Sequence, residues 1–119
     1  MDKRFVIIRG KEYRIEVNWN AFEEFARLKG ATITDALSLS LQEGDNIKVM
    51  MTAAIKEGER LEGREFTMTP VEVGEILTPV AVSQFLAVYR EQYIGEEGAR
   101  QDSLEEGKGA KKKPGPTGS

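Results

Sequence analysis

Three features of this 119-residue chain predict an α+β fold. A β-branched run and an alternating run meet across a glycine near the N-terminus. From residue 19 onward, apolar residues recur at the three- and four-residue spacing of helices. Beyond Gly95 they almost vanish, leaving Leu104 as the sole large aliphatic residue among Gly, Glu, Lys and Pro. The predicted architecture is an N-terminal antiparallel β-hairpin (4–17) packed on a small bundle of four to five helices (about 19–29, 33–41, 45–56, 70–77 and 79–94). Residues 1–94 make the folded domain, and a disordered charged tail spans 95–119.

The hairpin rests on Phe5-Val6-Ile7-Ile8 and on Tyr13, Ile15 and Val17, which alternate with Glu12, Arg14 and Glu16. Alternation places the three apolar side chains on one face of a half-exposed strand. Gly10, within Arg9-Gly10-Lys11, supplies the positive φ of a tight turn, and Gly-X is the type II′ pattern. A lone hairpin is marginal in water, so this face must lie on helices.

The first helix is expected to be capped by Asn18 or Asn20, the latter pairing with Glu23 as a capping box. Trp19, Phe22, Phe25 and Ala26 form its apolar stripe, Glu23 and Arg27 an i,i+4 pair, and Gly30 the residue just past its end. Residues 33–41 carry two patterns. Leu37, Leu39 and Leu41 alternate with serines as in a strand, whereas Ile33, Leu37 and Leu41 recur every four residues after a Thr32 or Thr34 cap. The helix is preferred. Asp45 is read as the cap of a third helix with Ile47, Met50, Met51 and Ala54 as its stripe, ending at Gly58.

Residues 57–66, Glu-Gly-Glu-Arg-Leu-Glu-Gly-Arg-Glu-Phe, read as a charged loop. Thr69-Pro70-Val71-Glu72 combines N-cap threonine, proline at N1 and glutamate at N3, and Thr78-Pro79 repeats the cap and proline. The last helix presents Val82, Phe85, Leu86, Tyr89 and Tyr93. Gly74 falls inside a helical pattern, where glycine costs about 1 kcal/mol relative to alanine, so close packing or a break is expected there.

Composition narrows the chemistry. The chain has neither cysteine nor histidine. Thiolate nucleophiles, disulfides, cysteine zinc sites and every Ser-His or Cys-His arrangement within this chain are therefore excluded. Carboxylate or lysine chemistry and oxygen-ligated Mg²⁺ or Ca²⁺ survive. The carboxylates that stand close together (Glu23-Glu24, Glu57 with Glu59 and Glu62, Glu72 with Glu75) are assigned to exposed helix faces or to the polar loop. General acid–base pairs instead need environments that drive two pKa values apart. Gly44-Asp45-Asn46 lacks the spacing of a calcium loop, and no glycine spacing matches a phosphate-binding loop. The reading is of a binding protein without a cofactor rather than an enzyme.

Net charge is −3, and all of it sits on residues 1–94, with 15 acidic against 12 basic residues. Neither nucleic acid nor an anionic membrane is an expected partner. Lys111-Lys112-Lys113, without a stacking aromatic, is read as part of a solvated tail. No apolar run has the roughly 20 residues of a membrane span, and Phe5–Ile8 is too short for a signal-peptide core. Residence in the cytosol where the chain is made is the expectation. Met50-Met51 has two readings: core packing, which is preferred, or an adaptable contact surface of the kind methionines supply.

The element order, with Gly10-Lys11-Glu12-Tyr13-Arg14-Ile15 closing the hairpin and Asn18-Trp19-Asn20-Ala21-Phe22-Glu23-Glu24-Phe25 opening a helix that ends at Gly30, resembles the tail assembly chaperones of long-tailed bacteriophages and related gene-transfer particles. The likeness covers about residues 3–94. It departs at Phe25-Ala26-Arg27, where that family more often carries another glutamate. The resemblance implies a non-catalytic protein that binds the helical tape measure protein, keeps it soluble, and recruits tail tube subunits. It implies a homo-oligomer, working in the host cytoplasm and absent from the mature virion. A client helix would be held near Met50, Met51, Phe85 and Tyr89. Family members are often made in two lengths by a −1 ribosomal slip, for which an adenine run encoding Lys111, Lys112 and Lys113 is the candidate junction. Two other classes remain as alternatives: a structural tail component or tail terminator that stays in the virion, and a small carboxylate or Mg²⁺-dependent enzyme.

Overall fold

The structure is a computed structural model and describes residues 2–94. The tail assigned to 95–119, with Lys111, Lys112 and Lys113, lies outside the described residues. Two strands come first, β1 (Arg4–Ile8) and β2 (Lys11–Ile15). They are followed by α1 (Trp19–Lys29), α2 (Ile33–Leu37), α3 (Gly44–Leu61), α4 (Pro70–Ile76) and α5 (Pro79–Tyr89), and α5 runs on into a π-helical turn at Arg90–Ile94. The α+β class, with a hairpin on five helices, is the one the sequence predicts.

The strands pair antiparallel from Arg4 opposite Ile15 to Ile8 opposite Lys11, leaving Arg9-Gly10 as a two-residue loop. Both loop residues have positive φ, 50° for Arg9 and 82° for Gly10, which is the type I′ signature. The expected II′ turn is thus corrected: its glycine occupies the second central position, not the first. Val6, Ile8, Tyr13, Ile15 and Val17 are buried, while Phe5 and Ile7 face outward.

Both edges of this short sheet are partly covered by the helices. On the β2 side the Arg14 N–H donates to Glu59 Oε2 at 3.0 Å and the Glu16 N–H to the Ala54 carbonyl at 3.1 Å. On the β1 side the Ile7 N–H donates to Gln84 Oε1 at 3.0 Å. These bonds cover part of each edge, which limits strand addition there.

α1 begins at Asn18, whose side chain accepts from the Ala21 N–H. Asn20 does not cap; it reaches Glu57 instead. At the other end Gly30 sits at φ 67°, and the Ala31 N–H returns to the Ala26 carbonyl, a Schellman closure. Arg27 pairs with Glu24 rather than Glu23. Trp19 leaves the predicted stripe: it is 58% exposed, with its indole N–H on Glu23, and Ala21 takes the buried place.

α2 is one short turn capped by Thr32 and does not reach residue 41. Leu39 and Leu41 nevertheless pack on the core from the bends that follow. Ser40 between them is exposed.

α3 is the central element, 18 residues long where twelve were expected, and it packs on α1, β2 and α4. Being covered on several sides, it buries Val49, Met50, Met51, Ala53, Ala54 and Ile55 all around its circumference. Gly58 does not end it. The stop is five residues later at Gly63 (φ 77°), where the Gly63 and Arg64 N–H groups close onto the Arg60 and Glu59 carbonyls. Asp45 lies in its first turn, bonded to Lys29, and provides no cap; Glu43 holds the cap position without a side-chain bond.

α4 carries the complete capping box of Thr69 and Glu72. Gly74 lies inside it, and a Cβ there would meet Lys48 of α3, so close packing is the explanation that applies. Thr78 caps α5 by accepting from the Ala81 N–H.

Candidate functional site

An apolar recess lies between α5 and the chain joining α2 to α3. It is an open trough of about 660 Å³. Val82, Leu86 and Tyr89 form one wall, spaced i, i+4 and i+7 along α5, so they share a helix face. Leu39 and Leu41 form the other wall, with Ile47 from the first turns of α3. Each of these six side chains is half-buried, wetted on the trough side and packed on the core beneath. Ser40, Gln42 and Arg90 supply a polar rim.

Tyr89 anchors the trough's lower end. It stacks obliquely on Tyr93 at 5.0 Å and on Phe85 at 5.9 Å between ring centroids, and Phe22 closes the cluster 4.4 Å from Tyr93. Burial, and secondarily the nearby Tyr93, pushes the Tyr89 phenol up to about 12. The trough offers shape and apolar area but no converging set of titratable groups.

The sequence-derived contact residues are only partly brought together. Met50, Met51 and Phe85 are fully buried and belong to the core, so they present no surface. Of the four, Tyr89 alone reaches the trough. The correction has a simple cause: a helix packed on several neighbours buries residues that a single stripe would leave exposed, and α3 is such a helix. Leu39, Leu41, Ile47, Val82 and Leu86, not singled out as contacts, do line the recess. The 37–41 alternation and the α5 stripe were their signal, and neither fixes which partly buried residues remain wet.

The carboxylates also differ from expectation. Glu57 and Glu59 are buried in α3, not solvated in a loop. Glu57 Oε2 accepts from Asn18 Nδ2 at 2.8 Å, Asn20 Nδ2 at 3.4 Å and Arg60 Nη2 at 2.8 Å. Glu59 accepts from the Arg14 N–H and from Arg64 through Nε and Nη2. Arg60 holds Glu57, and Arg64 holds Glu59, below the usual carboxylate range against the opposing effect of burial. Both are thus stabilised as anions that tie α1 and β2 to α3. This is the reverse of the raised pKa an acid catalyst needs. Among the described residues no group of three or more acidic side chains is placed to hold a metal ion, and no helix is long and apolar enough to cross a membrane.

No family model, curated protein or solved structure matches the chain.

Proposed function

We propose that the chain is a non-catalytic binding protein that holds an amphipathic helix in the α5 trough, in the manner of a phage tail assembly chaperone. The observation that carries this reading is the wall of Val82, Leu86 and Tyr89 facing Leu39, Leu41 and Ile47 across an open recess. Such a recess takes the apolar stripe of a helix at i, i+3, i+4 and i+7 positions. A long tape measure protein, rich in such stripes and insoluble alone, is the client this reading names. The hairpin–helix order described above supports it. Recruitment of tail tube subunits and assembly into a homo-oligomer along the client belong to the same proposal, as does work in the host cytoplasm with absence from the virion.

Co-expression tests it. A tape measure protein from the same genome should become soluble when co-expressed with the wild-type chain and should co-purify with it. Leu86→Asp, which puts a charge in the half-buried trough wall, abolishes that effect while leaving the helical circular dichroism intact. A tape measure protein that stays insoluble with the wild-type chain refutes the proposal. Mass spectrometry of purified particles separates this reading from a virion-resident tail component.

A further inference from the structure

A second hollow, of about 450 Å³, opens between the end of α1, the last turns of α3 and the connection to α4. It shares no residue with the α5 trough. Arg27, Arg60 and Arg64 stand around it in one repeated arrangement. Each guanidinium donates through Nε and Nη2 to both oxygens of a single carboxylate: Glu24 for Arg27, Glu57 for Arg60 and Glu59 for Arg64. Lys56 adds a fourth cation, 2.9 Å from Glu24.

The pairs are layered. The carboxylate side chains are 18%, 5% and 8% exposed, and their arginine partners 63%, 59% and 54%. In these three pairs the anions therefore lie underneath and the cations on top, while Glu65 adds one exposed carboxylate to the rim. A guanidinium gripped through Nε and Nη2 keeps both N–H groups of Nη1 for other acceptors. Among the described residues none of these three Nη1 atoms donates to the protein. Long side chains usually lose considerable rotamer freedom on binding. Here the carboxylates below have already restrained them.

The floor between these cations is apolar: Leu28, Phe66 and Met68 are all half-buried. Phe66 packs T-shaped against Tyr13, with centroids 5.7 Å apart.

We propose that this hollow docks an acidic protein segment, whose carboxylates accept from Nη1 of Arg27, Arg60 and Arg64 while an apolar side chain between them settles on Leu28, Phe66 and Met68. The charge layering selects this occupant. Each cation is neutralised from below, and the folded part of the chain is net acidic, so no long-range field draws in a polyanionic backbone. What remains is short-range, directional donation around an apolar seat, which suits carboxylates flanking a leucine. This inference is independent of the α5 trough.

Fluorescence anisotropy with the full chain and a labelled Glu-Glu-Leu repeat peptide tests it. The Glu peptide binds, its Gln-Gln-Leu and Glu-Glu-Ser counterparts bind at least roughly tenfold more weakly, and added salt weakens the complex. Arg60→Gln with Arg64→Gln lowers affinity by roughly tenfold. Since those substitutions also leave Glu57 and Glu59 without their partners, Arg27→Gln is the second variant: Glu24 keeps Lys56, the fold is retained by circular dichroism, and affinity still falls. Equal binding of the Gln peptide overturns the proposal, as does tighter binding of oligo-dT lost through the same substitutions. So does carbodiimide coupling of Lys56 to Asp102, Glu105 or Glu106 of the same chain without added peptide, because that makes the occupant internal.

Discussion

A Cβ placed on Gly58 would stand 2.2 Å from the carbonyl oxygen of Arg14 and 2.7 Å from the Cα of Ile15. Those atoms are backbone, and the strand carrying them is fixed to α3 by the Glu16 N–H on Ala54 and by the Arg14 N–H on Glu59. Neither side can yield cheaply. Gly58→Ala is expected to destabilise the protein by about 3 kcal/mol, at the upper end for overpacking, although alanine is the better helix former. Gly74→Ala is the matched control. Its new Cβ meets Lys48 Cδ at 2.9 Å, the outer part of a flexible side chain. There the helical gain of up to about 1 kcal/mol exceeds the cost of moving one methylene. Urea denaturation should show the first variant falling and the second holding or rising. Equal losses at both would mean that contact with the Arg14–Ile15 backbone is not what sets the requirement at Gly58.

The same glycine shows what could be read from the chain alone. Caps, turn glycines and periodicity are local, and they located the hairpin, the Thr69 box, the Thr78 cap and the α1 stop correctly. Gly58 obeys a long-range demand, the approach of β2, so a rule for local helix stops misplaced the end of α3. Ending that helix early put Glu57 and Glu59 in a loop. Seen as solvated charges there, they could not be recognised as the buried clamps on Asn18 and Arg14. Met50 and Met51 are core residues, the reading preferred for them, and their second reading as a contact surface fails for a related reason: one helix's pattern does not reveal how many neighbours surround it. The trough was legible only as two separate patterns, the Leu37–Leu41 alternation and the α5 stripe, because their meeting is tertiary.

Glu57 and Glu59 make acid stability predictable in sign. Arg60 and Arg64 hold their folded-state pKa values below the ordinary ones, so each carboxylate contributes stability above its unfolded pKa of about 4.3 and loses it as pH falls through the folded value. Denaturation midpoints measured from neutral pH downward should be level and then drop below about pH 4.3. Glu57→Gln and Glu59→Gln should each cost about 2 kcal/mol at neutral pH, the scale of hydrogen bonds to charged groups. The double variant should also flatten the acid limb without abolishing it, since Glu24 and Glu62 are lowered too. An unchanged acid limb in the double variant would assign acid unfolding to other carboxylates.

The capping box at α4 is a self-contained device. Thr69 accepts from the Glu72 N–H at 3.2 Å, and Glu72 accepts from the Thr69 N–H at 2.9 Å. With only seven residues, α4 has little propagation to offset an uncapped end. Thr69→Ala should destabilise the protein by about 1 kcal/mol. Amide hydrogen exchange should accelerate most at residues 71–73, and Thr69→Ser should restore protection. Uniform acceleration across all five helices would show that the loss is global rather than a loosened cap.

Tyr89 reports on the trough itself. Burial and then the neighbouring Tyr93 push its phenol up to about 12, above the unfolded value of about 10. The neutral phenol is thus the form the fold favours. Its contribution to stability is complete below about pH 10 and is lost as pH rises through about 12. Ultraviolet titration should contain a phenolate phase near 12 that Tyr89→Phe removes, and that variant should resist alkaline unfolding better than wild type. A bound helix adds a sharper reading. Seated on Val82, Leu86 and Tyr89, it excludes water from the phenol and should move the Tyr89 phase still higher. A phase that stays in place while the helix remains bound would put the contact somewhere other than the trough.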